Sequence, residues 1–125
     1  MKSASLGTAL IVDNDPTNHL ILESVLNQYN YRIIQASNGQ DAIDQYHQEK
    51  PDIIFMDVKL SVVDGYEATL QIKTAAGSDF VPILLLTEMN DEKSITRCID
   101  VGGDDFMVKP CEPFLLKTKI PCYRR

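Results

Sequence analysis

The stretch Ile53-Ile54-Phe55-Met56-Asp57 joins a continuous apolar run to a carboxylate. Such a run predicts a buried strand of a parallel sheet, and the polar residue that closes it lies at the strand's carboxyl end. Three more polar residues close apolar runs in the same way: Asp13 after residues 9–12, Thr87 after 83–86, and Lys109 after 106–108. Because ligands of open α/β sheets bind at the carboxyl ends of the strands, we expect these four side chains to share one pocket.

The rest of the chain alternates between strand and helix signals. Apolar runs predict strands near residues 8–12, 31–36, 52–56, 82–86 and 105–108. The segments between them show helical spacing or capping signals such as Asp15-Pro16. This alternation predicts the doubly wound α/β class: a five-stranded parallel sheet in the flavodoxin-like order 2-1-3-4-5 with five flanking helices.

Length and composition limit the domain organisation. The 125 residues, 44% of them hydrophobic, are expected to form a single domain over residues 1–125. Its core is expected at about 8–118, followed by an irregular tail at 119–125, because Pro121 interrupts the last helix.

The net charge, the hydropathy and the cysteines indicate which partners and which compartment to expect. A net charge of −6 argues against direct nucleic-acid binding, which needs clustered Lys and Arg, and favours a pocket that holds a cation. No signal peptide is evident, and no apolar stretch reaches membrane-spanning length. Cys98, Cys111 and Cys122 lack metal-binding spacing, so we expect ordinary thiols in a reducing, cytoplasmic compartment.

Four motifs together resemble the receiver domain of two-component response regulators. They are Ile11-Val12-Asp13-Asn14-Asp15-Pro16, Asp57-x-x-Leu60-Ser61-x-x-Asp64-Gly65, Leu86-Thr87 and Val108-Lys109-Pro110, in the family's order and spacing. The resemblance covers about residues 8 to 118. It implies a phosphoacceptor signalling domain that takes a phosphoryl group from a sensor histidine kinase or a phosphotransfer protein onto Asp57. Such a domain is not an enzyme, apart from catalysing its own phosphorylation and dephosphorylation.

The resemblance also implies roles for the remaining site residues. Mg²⁺ would be held by Asp13, the Asp57 side chain and the Lys59 backbone carbonyl. Asn14 stands where most receivers have a second metal-contacting acid; its amide oxygen can still ligate Mg²⁺, with one negative charge fewer. Lys109 would contact one phosphoryl oxygen, and the Thr87 hydroxyl would donate to another.

The implied output is a conformational switch. Movement of Thr87 toward the phosphoryl group would let the Phe106 ring turn inward, which changes the surface of the fourth helix, fifth strand and fifth helix. That surface is the expected contact for an output domain, a partner or a second copy of the chain. Its candidate residues are Ile95, Cys98, Ile99, Phe106 and Phe114.

Two departures from the family pattern leave a second function open. Besides Asn14, Glu88 directly follows Thr87, where the family usually has a small residue. A carboxylate at the pocket mouth would repel phosphodonors or hold back the attacking water. The alternative is therefore a degenerate receiver that serves as a phosphorylation-independent interaction module.

A phosphohydrolase is the third reading. Asp13-Asn14-Asp15-Pro16-Thr17 fits the D-x-D-x-T nucleophile motif of haloacid-dehalogenase-like enzymes, with Asp13 as nucleophile and Asp15 as general acid. Gly103-Asp104-Asp105 would supply the acidic metal motif. Against it, that family's lysine should precede the acidic pair, whereas Lys109 follows it, and Asp57 is left without a role.

Overall fold

The computed structural model describes residues 7–88 and 91–123. Within these ranges one parallel sheet has the strand order β2-β1-β3-β4-β5. The strands are β1 (Gly7–Val12), β2 (Tyr31–Gln35), β3 (Ile53–Asp57), β4 (Ile83–Thr87) and β5 (Asp105–Val108). The predicted fold class and strand order are confirmed, and the predicted strand ends agree to within one residue.

In the described part of the chain, four helices connect the strands and a fifth follows β5. They are α1 (Pro16–Gln28), α2 (Gly39–Glu49), α3 (Gly65–Ala76), α4 (Glu92–Asp100) and α5 (Pro113–Lys119). Each begins after a side chain that accepts a backbone N–H of the first turn, as Asp15, Asp64 and Asp91 do. None of the helices within 7–88 and 91–123 is long and apolar enough to cross a membrane.

The sheet divides the core into two layers, because successive strand residues point to opposite faces. Leu10 and Ile54 belong to the layer that α2, α3 and α4 cover. Ile11 and Phe55 belong to the layer covered by α1 and α5. Each fully buried side chain of this size stabilises the fold by about 1.5–3 kcal/mol, so burial on both faces holds the strand ends in fixed register.

The tail is more regular than the sequence predicts. After α5 the chain forms a 3₁₀ turn, Ile120–Tyr123, because Pro121 lacks the N–H that would continue the α-helix. The turn is held to the domain by Tyr123 Oη, which donates to Asp105 Oδ2 at 3.0 Å. The prediction of an irregular tail is therefore wrong up to residue 123, and residues 124–125 lie outside the described residues.

The residues proposed for a partner surface differ in exposure. Ile99 and Phe114 are 67% and 69% exposed, and Ile95 and Phe106 are half-buried. Cys98, in contrast, is buried and packs in the layer beneath α4. Its assignment to the surface is wrong, because helical spacing alone does not say which side of α4 meets the sheet.

Candidate functional site

The predicted polar residues meet at one edge of the sheet. Asp57 and Thr87 are the last residues of β3 and β4, and Asp13 and Lys109 directly follow β1 and β5. Lys109 Nζ donates to Asp57 Oδ2 at 2.8 Å and to Asp13 Oδ1 at 3.1 Å. The three side chains are 8%, 10% and 0% exposed, so this is a largely buried cluster of one cation and two carboxylates.

The pleat of the sheet explains which side chains meet directly. Successive strand side chains point to alternate faces of the sheet. By this alternation the face covered by α1 and α5 is also the face of Asp13, Asp57 and Lys109, since the side chains two residues before them belong to that layer. Thr87 falls on the opposite face, two residues after Leu85. Its carbonyl oxygen accepts from the Lys109 N–H at 2.8 Å, which ties the end of β4 to the segment that carries Lys109.

The loop after β3 holds the Asp57 carboxylate in place. The Lys59 backbone N–H donates to Asp57 Oδ1 at 3.0 Å, and the Val58 N–H donates to the Leu86 carbonyl at 3.0 Å. The loop then turns into α3 so tightly that a Cβ on Gly65 would lie 2.0 Å from the Asp57 carbonyl oxygen. Glycine is therefore required there, which gives the Asp64-Gly65 motif its physical basis.

Burial and the neighbouring charges set the protonation states. Burial raises the pKa of Asp57 above its ordinary value, and hydrogen bonds from Lys109 and the Lys59 amide offset only part of the rise. Burial acts to lower the pKa of Lys109, but the hydrogen bonds to Asp57 and Asp13 outweigh it and leave that pKa raised. Lys109 thus stays cationic, and additional positive charge beside Asp57 would favour its ionised form.

The structure shows the contacts of Asn14 and Glu88, which depart from the family pattern. It also shows those of Asp15, the general acid in the phosphohydrolase alternative. Asn14 is exposed at the rim, where its Nδ2 donates to the Ser37 carbonyl at 3.0 Å. Glu88 Oε2 lies 3.7 Å from Lys59 Nζ, and both side chains are exposed. Asp15 caps α1 by accepting from the Thr17 N–H, so its carboxylate is engaged by the helix.

Asn18 is the site residue that the sequence analysis missed. It is fully buried on α1; its Nδ2 donates to Asp13 Oδ2 at 2.6 Å, and its Oδ1 accepts from the Cys111 N–H at 2.6 Å. A signal was present in the sequence, since position 18 shares the apolar face of α1 with Leu22 and Val25. A polar residue on such a face needs buried partners.

The donor set fits magnesium. Mg²⁺ usually takes one or two carboxylates from a protein and fills the remaining positions with other oxygens and water. Asp13 and Asp57 supply two carboxylates whose oxygens contact the same cationic atom, Lys109 Nζ. Over residues 7–88 and 91–123, no group of three or more His, Cys, Asp or Glu side chains is arranged to hold a metal. The site therefore suits a hard cation with several water ligands and does not resemble a thiolate or imidazole site.

The second acidic motif does not join this cluster. Asp105 opens β5, and Asp104 precedes it, so both lie at the amino end of a strand whose carboxyl end carries Lys109. Asp104 Oδ2 accepts from Lys73 Nζ at 2.6 Å, and Asp105 Oδ2 accepts from Lys119 Nζ at 2.8 Å. Both carboxylates thus have structural partners at the opposite edge from Asp13.

Known proteins similar to this chain include response regulators and receiver domains. The family model described as the response regulator receiver domain matches residues 9–121. A probable transcriptional regulator ycf27 of Guillardia theta is 36% identical over 111 residues, which is 89% of this chain and 42% of the relative. This chain spans less than half the length of the first curated relatives it matches.

Two solved structures share the fold. The receiver domain of a sensor histidine kinase from Pseudomonas aeruginosa, with a magnesium ion coordinated in its active site cleft, has a TM-score of 0.84 and 28% identity; the match covers 96% of this chain and 98% of that one. The receiver domain of the Saccharomyces cerevisiae response regulator Ssk1, crystallised with the histidine phosphotransfer protein Ypd1, has a TM-score of 0.86 and 29% identity; coverage is 98% and 92%.

Proposed function

This chain belongs to the response regulator receiver domain family, and we propose that Asp57 is its phosphoacceptor. The observation that carries the proposal is the contact of Lys109 with both Asp57 and Asp13 at the carboxyl edge of the sheet. It leaves a nucleophilic carboxylate next to a buried cation, which is what an incoming phosphoryl group requires. The donor is the phosphohistidine of a sensor kinase or of a phosphotransfer protein.

The transfer forms one bond and breaks another. An Asp57 carboxylate oxygen attacks the phosphorus atom, the phosphorus–nitrogen bond of the donor breaks, and the imidazole leaves with the electron pair and takes up a proton. The product is an acyl phosphate on Asp57. Water reverses the state by attacking the same phosphorus and releasing inorganic phosphate and the free carboxylate.

Each neighbouring residue has a role in that reaction. Asp13, Asp57 and the Lys59 backbone carbonyl would hold Mg²⁺, with the Asn14 amide oxygen as a further ligand. When bound, the ion supplies positive charge to the phosphoryl oxygens in the transition state. Lys109 contributes a second positive charge and moves from the free carboxylate to a phosphoryl oxygen.

The same contacts give the domain an output. Leu85 and Phe106 are paired in register across β4 and β5, so Thr87 and Phe106 lie on the same face of neighbouring strands. If the Thr87 hydroxyl donates to the phosphoryl group, the space beside it opens to the Phe106 ring. Phosphorylation then selects one of two packings, and the surface of α4, β5 and α5 reports which one is populated.

The proposal extends to the cellular setting. Residues 1–125 act as a receiver unit that passes its state to an output domain, a partner protein or a second copy through that surface. The thiols Cys98, Cys111 and Cys122 are unpaired in the structure, which suits a reducing cytoplasm. Apart from its own phosphorylation and dephosphorylation, the unit catalyses no reaction.

Intact-mass spectrometry after incubation with acetyl phosphate tests this function. We expect one phosphoryl adduct that requires Mg²⁺ and is absent from Asp57→Asn. An Asp44→Asn variant, which changes an exposed carboxylate on α2, is the matched control and should be labelled like the original protein. An unlabelled original protein, with a cognate phosphodonor protein also failing, would instead support the phosphorylation-independent module.

A further inference from the structure

We propose that Asn18 is a positioning residue for Mg²⁺ and phosphoryl transfer, an inference that rests on the function proposed above. Asn18 touches neither donor nor metal in that scheme. It contacts Asp13 through its amide nitrogen and the backbone of Cys111 through its amide oxygen, both at 2.6 Å. A single buried side chain thus joins the carboxylate that would hold the metal to the segment that carries Lys109.

Asn18 fixes the orientation of the Asp13 carboxylate. Asp13 Oδ2 accepts from Asn18, while Asp13 Oδ1 accepts from the Asp15 N–H at 2.9 Å and from Lys109 Nζ. With donors on both oxygens, the carboxylate plane has little freedom to rotate. Asp13 Oδ1, the oxygen that shares Lys109 Nζ with Asp57, is therefore the one presented to a cation, while Asn18 holds Oδ2.

The second contact links this carboxylate to the lysine. Cys111 follows Lys109 by two residues, and its N–H is held by Asn18 Oδ1. A cation that displaces Lys109 Nζ from Asp13 would therefore also affect the backbone at Cys111, because Asn18 hydrogen-bonds to both. The planar amide of Asn18 thus couples the Asp13 carboxylate to the segment that contains Lys109 and Cys111.

The chemistry of the amide explains why this residue stands at position 18. A neutral amide donates and accepts at once, which a carboxylate or an apolar side chain cannot do. Leu22 and Val25 show that packing on this face of α1 needs only apolar side chains. A fully buried asparagine carries a desolvation cost, which these two hydrogen bonds offset.

The test compares Asn18→Ala and Asn18→Ser with Val25→Ala. Val25 is buried on the same helix in the apolar layer, so its truncation should lower stability without removing a hydrogen bond of Asp13. Mg²⁺ binding is measured by titration calorimetry, unfolding by urea, and labelling by acetyl phosphate. Asn18→Ser is the milder change and carries the test if Asn18→Ala does not fold.

The Asn18 variants should weaken Mg²⁺ binding about tenfold, the scale seen when partners of metal ligands are removed. Val25→Ala should bind Mg²⁺ as the original protein does. Amide NMR adds a structural readout. In the original protein Mg²⁺ should shift the signals of both Lys59 and Cys111, whereas in Asn18→Ala it should shift Lys59 and leave Cys111 unmoved.

The outcomes separate this inference from the function on which it rests. If the original protein is labelled and binds Mg²⁺, but the Asn18 variants bind it equally well, the positioning role is wrong and the function stands. If Val25→Ala weakens binding as much as Asn18→Ala, the effect comes from general stability and the inference is also overturned. If the original protein neither binds Mg²⁺ nor is labelled, both fall together.

Discussion

The Lys109 ammonium lies 2.8 Å from Asp57 Oδ2 in a cluster where Asp13 supplies a second carboxylate. One cation therefore faces two buried anions, and the Asp57 pKa is raised by burial in spite of that contact. The cluster therefore holds more carboxylate groups than cations. The predictions for this edge of the sheet follow from that imbalance.

Asp57→Asn should raise the free energy of unfolding at pH 7 in the absence of Mg²⁺. Because the folded-state pKa of Asp57 lies above the unfolded value of 3.8, the native protein loses stability as pH rises through the folded pKa. Asp57→Asn has no charge at this position and does not lose this stability. Its advantage in the free energy of unfolding over the original protein should therefore shrink as pH falls toward 4. Urea unfolding at both pH values measures it.

Two results bear on that prediction. Asp44→Asn, on the exposed side of α2, should change stability by no more than about 0.5 kcal/mol. If Asp57→Asn proves less stable than the original protein at pH 7, attraction to Lys109 outweighs the burial of Asp57, and the charge imbalance is refuted.

Asn14→Asp should tighten Mg²⁺ binding by about tenfold, equivalent to ~1.4 kcal/mol. The added charge lies at the rim of the site, and a carboxylate cannot keep the hydrogen bond that Asn14 Nδ2 donates to the Ser37 carbonyl. The new carboxylate would thus be free of Ser37 and available to a bound cation. Calorimetric titration tests this, and unchanged affinity would show that position 14 does not reach the ion.

Glu88→Ala should speed labelling by acetyl phosphate, most clearly at low salt. Its carboxylate lies at the mouth of the site, 3.7 Å from Lys59 Nζ, and repels an anionic donor. Stability should change by less than about 1 kcal/mol, since the ion pair is exposed. The control is Glu49→Ala, which removes the exposed ion pair with Arg32. Equal labelling rates for the original protein and both variants would show that the Glu88 carboxylate does not repel the donor.

Val62→Gly should stabilise the fold by up to about 1 kcal/mol. Val62 has a φ of 68°, which strains a β-branched residue, and it is 79% exposed, so little packing is lost. Leu20→Gly, at an exposed position of α1, should instead cost about 1 kcal/mol. Thermal unfolding of both variants decides, and a loss of stability in Val62→Gly would mean the loop conformation is not strained.

The sequence predicts the edge of the sheet well, for a topological reason. Once five parallel strands are recognised, Asp13, Asp57 and Lys109 must end at the same side, and the structure brings them into contact. Asn18 was missed because a polar residue within a helix is usually solvated, although its helical spacing places it on the apolar face with Leu22.

Other features depend on contacts that no local pattern encodes. Helical spacing marks Cys98 and Ile99 as candidate surface residues, but only the sheet decides that Cys98 is buried and Ile99 exposed. Pro121 predicts a break in the last helix, but no local pattern shows that the 3₁₀ turn after it is held by a hydrogen bond from Tyr123 to Asp105. The positive φ of Val62 has no signature in its side chain.

The most direct test of the central claim is to locate the modification. After acetyl phosphate treatment with Mg²⁺, borohydride reduction converts an aspartyl phosphate to the corresponding alcohol, which peptide mass spectrometry assigns to one residue. We predict that position 57 alone is reduced, and that omission of Mg²⁺ abolishes the signal. Reduction at position 13 with position 57 unchanged would contradict the account and return the protein to the phosphohydrolase reading.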